Sequence, residues 1–110
     1  MNIIMLGFIT ILTLVIPIIF SNYIAAAALI PIALLFILLS HDHKIWKIWI
    51  FGALFGPISE AFCIYYGLWN YTHPDFWGIP VWLPLVWGNA FVLGALLYKL
   101  ITEKNLQTIK

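Results

Sequence analysis

Residues 45–69 read IWKIWIFGALFGPISEAFCIYYGLW, an apolar run in which Glu60 is the one charge beyond Lys47 near its start. A hydrocarbon core about 30 Å thick needs roughly 20 apolar residues per helical crossing, so this run predicts a membrane helix. On its N-terminal side, His41-Asp42-His43-Lys44 separates it from an apolar run over 24–40, and Ser21-Asn22-Tyr23 separates that from another over 3–20. On its C-terminal side, Asn70-Tyr71-Thr72-His73-Pro74-Asp75-Phe76-Trp77 is polar and aromatic, with a Pro-Asp turn signal, and a fourth apolar run covers 78–101. The expected fold is therefore all-α: a polytopic membrane protein with four transmembrane helices, at about 3–20, 24–40, 45–69 and 78–101, in a single domain over 1–110. Pro17 and Pro31 fall inside the first two runs, where a membrane helix tolerates them because neighbours re-satisfy the freed carbonyls.

Composition agrees. Of 110 residues, 65% are hydrophobic and 8% charged, whereas about a quarter of an ordinary soluble domain is charged. The net charge of +1 leaves no basic surface to hold a phosphate backbone, which excludes nucleic acid as a partner. Cys63 is the single cysteine and forms no internal disulfide. The first run has no Lys or Arg before it and no small-x-small cleavage pattern after it, so it reads as a retained helix rather than a signal peptide. His41-Asp42-His43 reads as a solvated loop, since His73 and Asp75 fall across the membrane from it, and no metal or cofactor is implied. Ser59 lacks a Gly-x-Ser-x-Gly setting and a membrane-embedded His, which argues against a serine hydrolase. Asn70-Tyr71-Thr72 matches a glycosylation pattern of use only in a eukaryotic secretory setting.

Four crossings put both termini and the 41–44 loop on one side, together with all five lysines: Lys44, Lys47, Lys99, Lys104 and Lys110. The positive-inside rule makes that side cytoplasmic, giving N-in, C-in topology in the cell membrane. Three crossings would split the lysines between the two faces. Trp46 and Trp49 then belong to the inner aromatic belt, and Trp69, Tyr71, Phe76 and Trp77 to the outer one.

Glu60 is the residue to explain, because a carboxyl within the bilayer costs a few kcal/mol and is functional by default unless a partner accounts for it; it reads either as a structural hydrogen-bonded lock between two helices or as a proton-handling or ligand-binding acid. With helices over 45–69 and 78–101, Glu60 and Asn89 lie at nearly equal depth, so an antiparallel hairpin is expected to bring acid and amide within hydrogen-bond reach. Gly52, Gly56, Glu60, Cys63 and Gly67 share a face at three- and four-residue spacing, made first for close helix packing and second for a substrate groove. Pro57 frees the Ala53 carbonyl one turn before the acid. Prolines and tryptophans crowd the stretch from Trp69 to Trp87. That density predicts an aromatic-walled pocket between the outer halves of the third and fourth helices, lined by Tyr66, Trp69, Tyr71, Trp82 and Trp87. Flat apolar walls suit a lipid or isoprenoid chain, and ring faces stabilise a developing cation.

The string Glu60, then Gly67-Leu68-Trp69-Asn70-Tyr71, Pro74, Gly78-Ile79-Pro80 and Pro84-Leu85-Val86-Trp87 resembles a segment of carotenoid-biosynthesis membrane proteins of the bisanhydrobacterioruberin hydratase type. It is similar also to small uncharacterised membrane proteins carrying Gly-Ile-Pro-x-Trp-Leu-Pro. The resemblance implies an isoprenoid or carotenoid substrate, with Glu60 as the membrane acid and Gly67, Trp69, Tyr71, Pro74, Gly78, Pro80, Pro84 and Trp87 as the motif around it. Those enzymes are longer, which implies a half-unit working as a homo-oligomer or inside a larger membrane complex. Two other plans fit the length: a proton-coupled small transporter working as a dimer, similar to small multidrug-resistance transporters though with its acid on the third helix rather than the first, and an accessory subunit of a larger complex.

Overall fold

Four helices, α1 (Ile3–Ile19), α2 (Asn22–Leu39), α3 (Ile45–Tyr65) and α4 (Leu83–Thr102), make up the computed structural model, which describes residues 2–102. The fold is all-α, and α2, α3 and α4 are each long and apolar enough to cross a membrane. At 17 residues, α1 is the shorter apolar helix, about 26 Å by the helical rise. Its first turn is capped by the Asn2 side chain, which accepts from the Met5 N–H at 2.8 Å. Pro17, Pro31 and Pro57 lie inside helices without ending them. Lys104 and Lys110, with the polar tail expected there, lie outside the described residues.

The helices alternate in direction. At one end the α1–α2 turn meets the loop 66–82 through Asn22, and at the other Asp42 meets Lys99 near the end of α4. α4 is central, packing on α1, α2 and above all α3. One apolar cluster joins Leu6, Ile9, Phe36, Ile45, Val92 and Leu96 towards the Asp42 end, and a second joins Ile16, Ala25 and Leu29 towards the loop end. The outside is as apolar as the inside: Ile4 is 78% exposed and Ile18 82%. Such a surface is at ease in lipid and a liability in water.

Two helix boundaries lie four or five residues from those expected, and the others agree to within two. α3 stops at Tyr65 rather than Trp69 because Gly67 adopts a φ of +79°, open to a residue without a Cβ. The Gly67 N–H then donates to the Ile64 carbonyl at 2.9 Å and the Leu68 N–H to Cys63 at 3.1 Å, the Schellman termination. α4 starts at Leu83 rather than Gly78. Trp77 and Gly78 both have positive φ and turn the chain so that Phe76 and Ile79 pair as an isolated antiparallel bridge. Ile79 precedes Pro80, which disfavours helix at that position as well. The stretch 66–82 is consequently a folded cap rather than two helix ends.

Candidate functional site

Glu60 lies five residues before the end of α3, about 7–8 Å along the axis and nearer the loop than a helix to Trp69 would put it. Both of its oxygens are held. The Tyr71 hydroxyl donates to Oε1 at 2.5 Å, and the Trp87 indole Nε1–H donates to Oε2. One donor comes from the cap and one from α4, so the carboxyl ties three parts of the fold together. Tyr71 stands edge-on to Trp82, with ring centroids 6.0 Å apart. Burial, and then the adjoining carboxyl, hold the Tyr71 phenol above its ordinary range.

Asn89 is not the partner of Glu60. It is buried elsewhere, with Nδ2 donating to Thr13 Oγ1 at 3.0 Å and Oδ1 accepting from Trp49 Nε1 at 2.8 Å. Equal depth was necessary for the expected pair, but azimuth decides. Residues 87 and 89 are two positions apart and point about 200° from each other around the helix, so only one can face the acid. Trp87 faces it, and Asn89 turns towards α1. The Thr13 hydroxyl in turn donates to the Ile9 carbonyl at 2.8 Å, closing a buried polar set across three helices.

Where a pocket between α3 and α4 was expected, the described residues interlock instead. A Cβ on Gly56 would stand 1.9 Å from Trp87 Cδ2, one on Gly52 2.5 Å from Phe91 Cγ, and one on Gly88 2.3 Å from Trp49 Cε2. Each glycine is a notch filled by an aromatic ring from the facing helix, which realises the packing reading of the glycine face. Tyr66 is 64% exposed and Trp69 45%, and neither is in the wall of the cavity beside Tyr71. Tyr71 and Trp82 line that cavity, with Pro17, Asn22, Thr72, His73 and Pro80, around a space of about 180 Å³ over the α1–α2 turn. Nor is it the sole concavity. Apolar spaces of about 140 and 350 Å³ run beside α1 and α4, the first reaching Thr13 and Asn89.

Asn22 organises the cap. Its Nδ2 donates to the His73 carbonyl at 2.5 Å and to Asp75 Oδ2 at 2.8 Å, while its Oδ1 accepts from Trp82 Nε1 at 3.1 Å. Asp75 Oδ2 also accepts the Val81 N–H at 2.7 Å. In the sequence Asn22 reads only as a turn former, and Thr13 carries no site motif. The available signals were an amide at the helical turn on the same side as the 66–82 loop, and a hydroxyl in the middle of an otherwise apolar run. Ser59 donates to its own helix at Phe55, and among the described residues no group of three or more His, Cys, Asp and Glu could hold a metal ion. No protein-family model matches the chain, and neither a curated protein nor a solved structure matches it.

Proposed function

We propose that the chain is a membrane protein that binds a lipid or isoprenoid molecule at its aromatic end and uses Glu60 as an acid towards it. The observation that carries this reading is the unequal treatment of the two Glu60 oxygens. An indole N–H can only donate, so Oε2 serves as acceptor, whereas the Tyr71 hydroxyl can donate or accept. A proton on the carboxyl therefore belongs on Oε1, held at a fixed place beside aromatic rings. Donated to an alkene carbon, it leaves a cation that ring faces stabilise until water adds and a proton returns to the carboxylate.

The reading extends to orientation. Lys44, Lys47 and Lys99 fall at the end away from the cap, so the positive-inside rule directs that end to the cytoplasm and the cap to the outer face of the cell membrane.

Glu60→Gln tests the acid role, since it keeps size and hydrogen bonding but donates no acidic proton. Purified protein in nanodiscs is mixed with geranylgeraniol or a linear carotene, binding is followed by tryptophan fluorescence and conversion by mass. The variant is expected to bind within about twofold of the parent, as a near-isosteric change implies, and to lose conversion. Equal conversion by both proteins removes the acid role, and binding by neither removes the isoprenoid.

A further inference from the structure

We propose that Tyr71 is a proton relay, and that the cavity of about 180 Å³ beside it is the vestibule through which Glu60 exchanges its proton with water at the cap face. This rests on the reading of Glu60 as an acid, and adds the route and direction of proton supply.

Among the described residues, two side chains hydrogen-bond to the carboxyl, and their chemistry separates them. The Trp87 indole nitrogen has a hydrogen to give and no lone pair to receive with, so it cannot pass a proton onward. The Tyr71 hydroxyl can do both at once. Its oxygen is bonded to Glu60 Oε1, and its residue also lines the vestibule, so it stands at the boundary between acid and cavity.

The cavity suits water. Asn22, Thr72 and His73 supply polar groups to its wall, and its volume exceeds by several times the roughly 10–15 Å³ that one water requires. The titratable groups around Tyr71 are Glu60 from α3 and, in its own loop, His73 and Asp75; α1, α2 and α4 present Pro17, Asn22 and Trp87.

Towards the Asp42 end no such chain exists among the described residues. On the α3–α4 seam there, Phe91 occupies the notch at Gly52 with the Phe51 and Phe55 rings beside it, and the Asn89 amide is hydrogen-bonded to Trp49 and Thr13.

The step balances without a charged intermediate on the phenol. The Tyr71 O–H bond breaks as the Oε1–H bond forms, while the Tyr71 oxygen takes a proton from hydronium in the vestibule. One proton moves inward, and Tyr71 ends as it began. Its raised phenol value favours this concerted exchange over a standing phenolate.

The test needs no substrate. Protein in phosphatidylcholine vesicles is subjected to a rapid acid jump, and protonation of Glu60 is followed by the infrared carboxyl band that Glu60→Gln abolishes. Tyr71→Phe keeps the ring against Trp82 and removes the hydroxyl; it is expected to slow the band by about a hundredfold, the lower range for a positioned proton-transfer group. In unsubstituted protein inserted in one orientation, a jump on the cap face is expected to drive the band and a jump on the Asp42 face to leave it until the two sides equilibrate. An unchanged rate in Tyr71→Phe, or a prompt response from the Asp42 face, overturns the relay while leaving the acid in place. A Glu60-dependent band missing at every pH overturns the acid reading and the relay with it. The sidedness measurement uses the natural sequence, so it decides even if Tyr71→Phe fails to fold.

Discussion

Asn22 shows how one amide can hold an irregular segment. It gives two hydrogen bonds to the cap and takes one from Trp82, which fixes the loop that carries Tyr71 over the α1–α2 turn. A protein hydrogen bond is worth about 0.5–1.5 kcal/mol net. Asn22→Ala is expected to cost on the order of 1–3 kcal/mol and to free the cap, read as faster proteolysis between residues 66 and 82 in reconstituted protein. Cleavage at the parental rate would show that Asp75 and the Phe76–Ile79 bridge hold the loop without it.

At the scale of the element, the α3–α4 hairpin is a set of glycine notches and aromatic knobs. The nearest atoms to a Cβ on Gly56 are Cδ2 and Cγ of Trp87, the root of the ring rather than its rim, so the whole indole has to move. Gly56→Ala is therefore expected to destabilise the hairpin by about 1–3 kcal/mol, the usual range for overpacking. It also draws Trp87 from Glu60, which the Trp87 indole N–H resonance will report by losing its hydrogen-bonded shift. Gly7 is the control, because a Cβ there meets nothing within 4 Å. Gly7→Ala should be neutral or stabilise by up to about 1 kcal/mol through helix propensity. Equal losses at both positions would mean that backbone effects, not the notch, set the cost.

Across the whole molecule the two ends differ in charge and chemistry. Asp75 and Glu60 lie at or near the cap end, while Lys44, Lys47 and Lys99 lie at the other, where Lys99 Nζ meets Asp42 Oδ2 at 2.5 Å. That bond, followed by the Lys44 N–H donated to Oδ1 at 3.0 Å, holds the Asp42 carboxyl below its ordinary range. A carboxyl whose folded value is depressed stabilises the fold above its unfolded value, and the contribution is lost as pH falls through the folded one. Thermal stability in detergent is thus expected to decline as pH drops below the usual carboxylate range, and Asp42→Asn should flatten that part of the profile. An identical profile in Asp42→Asn would assign the acid sensitivity to another group. The pair is exposed enough that the effect should also fade with salt.

Hydropathy along the chain determined the all-α class, the number of helices and their near boundaries at Ile3, Leu39 and Ile45, because solvent alone sets the length of an apolar run and every backbone polar group in lipid must be satisfied within a helix. The importance of Glu60 was legible for the same reason: a charge in an apolar run has a cost that can be read locally. The ends of α3 and α4 were less so, since an apolar string around Gly67 and Gly78 looks the same whether it continues a helix or turns at positive φ. Partnership was decided only in three dimensions. Depth along a helix follows from counting residues, but the choice between Trp87 and Asn89 depends on how α4 is rotated against α3, and that rotation is set by which aromatic rings enter which glycine notches. Tyr71 reaches Glu60, and Trp69 and Tyr66 do not, because Asn22 on a distant helix draws the cap over the α1–α2 turn, a contact between residues too far apart in sequence for any local pattern to announce.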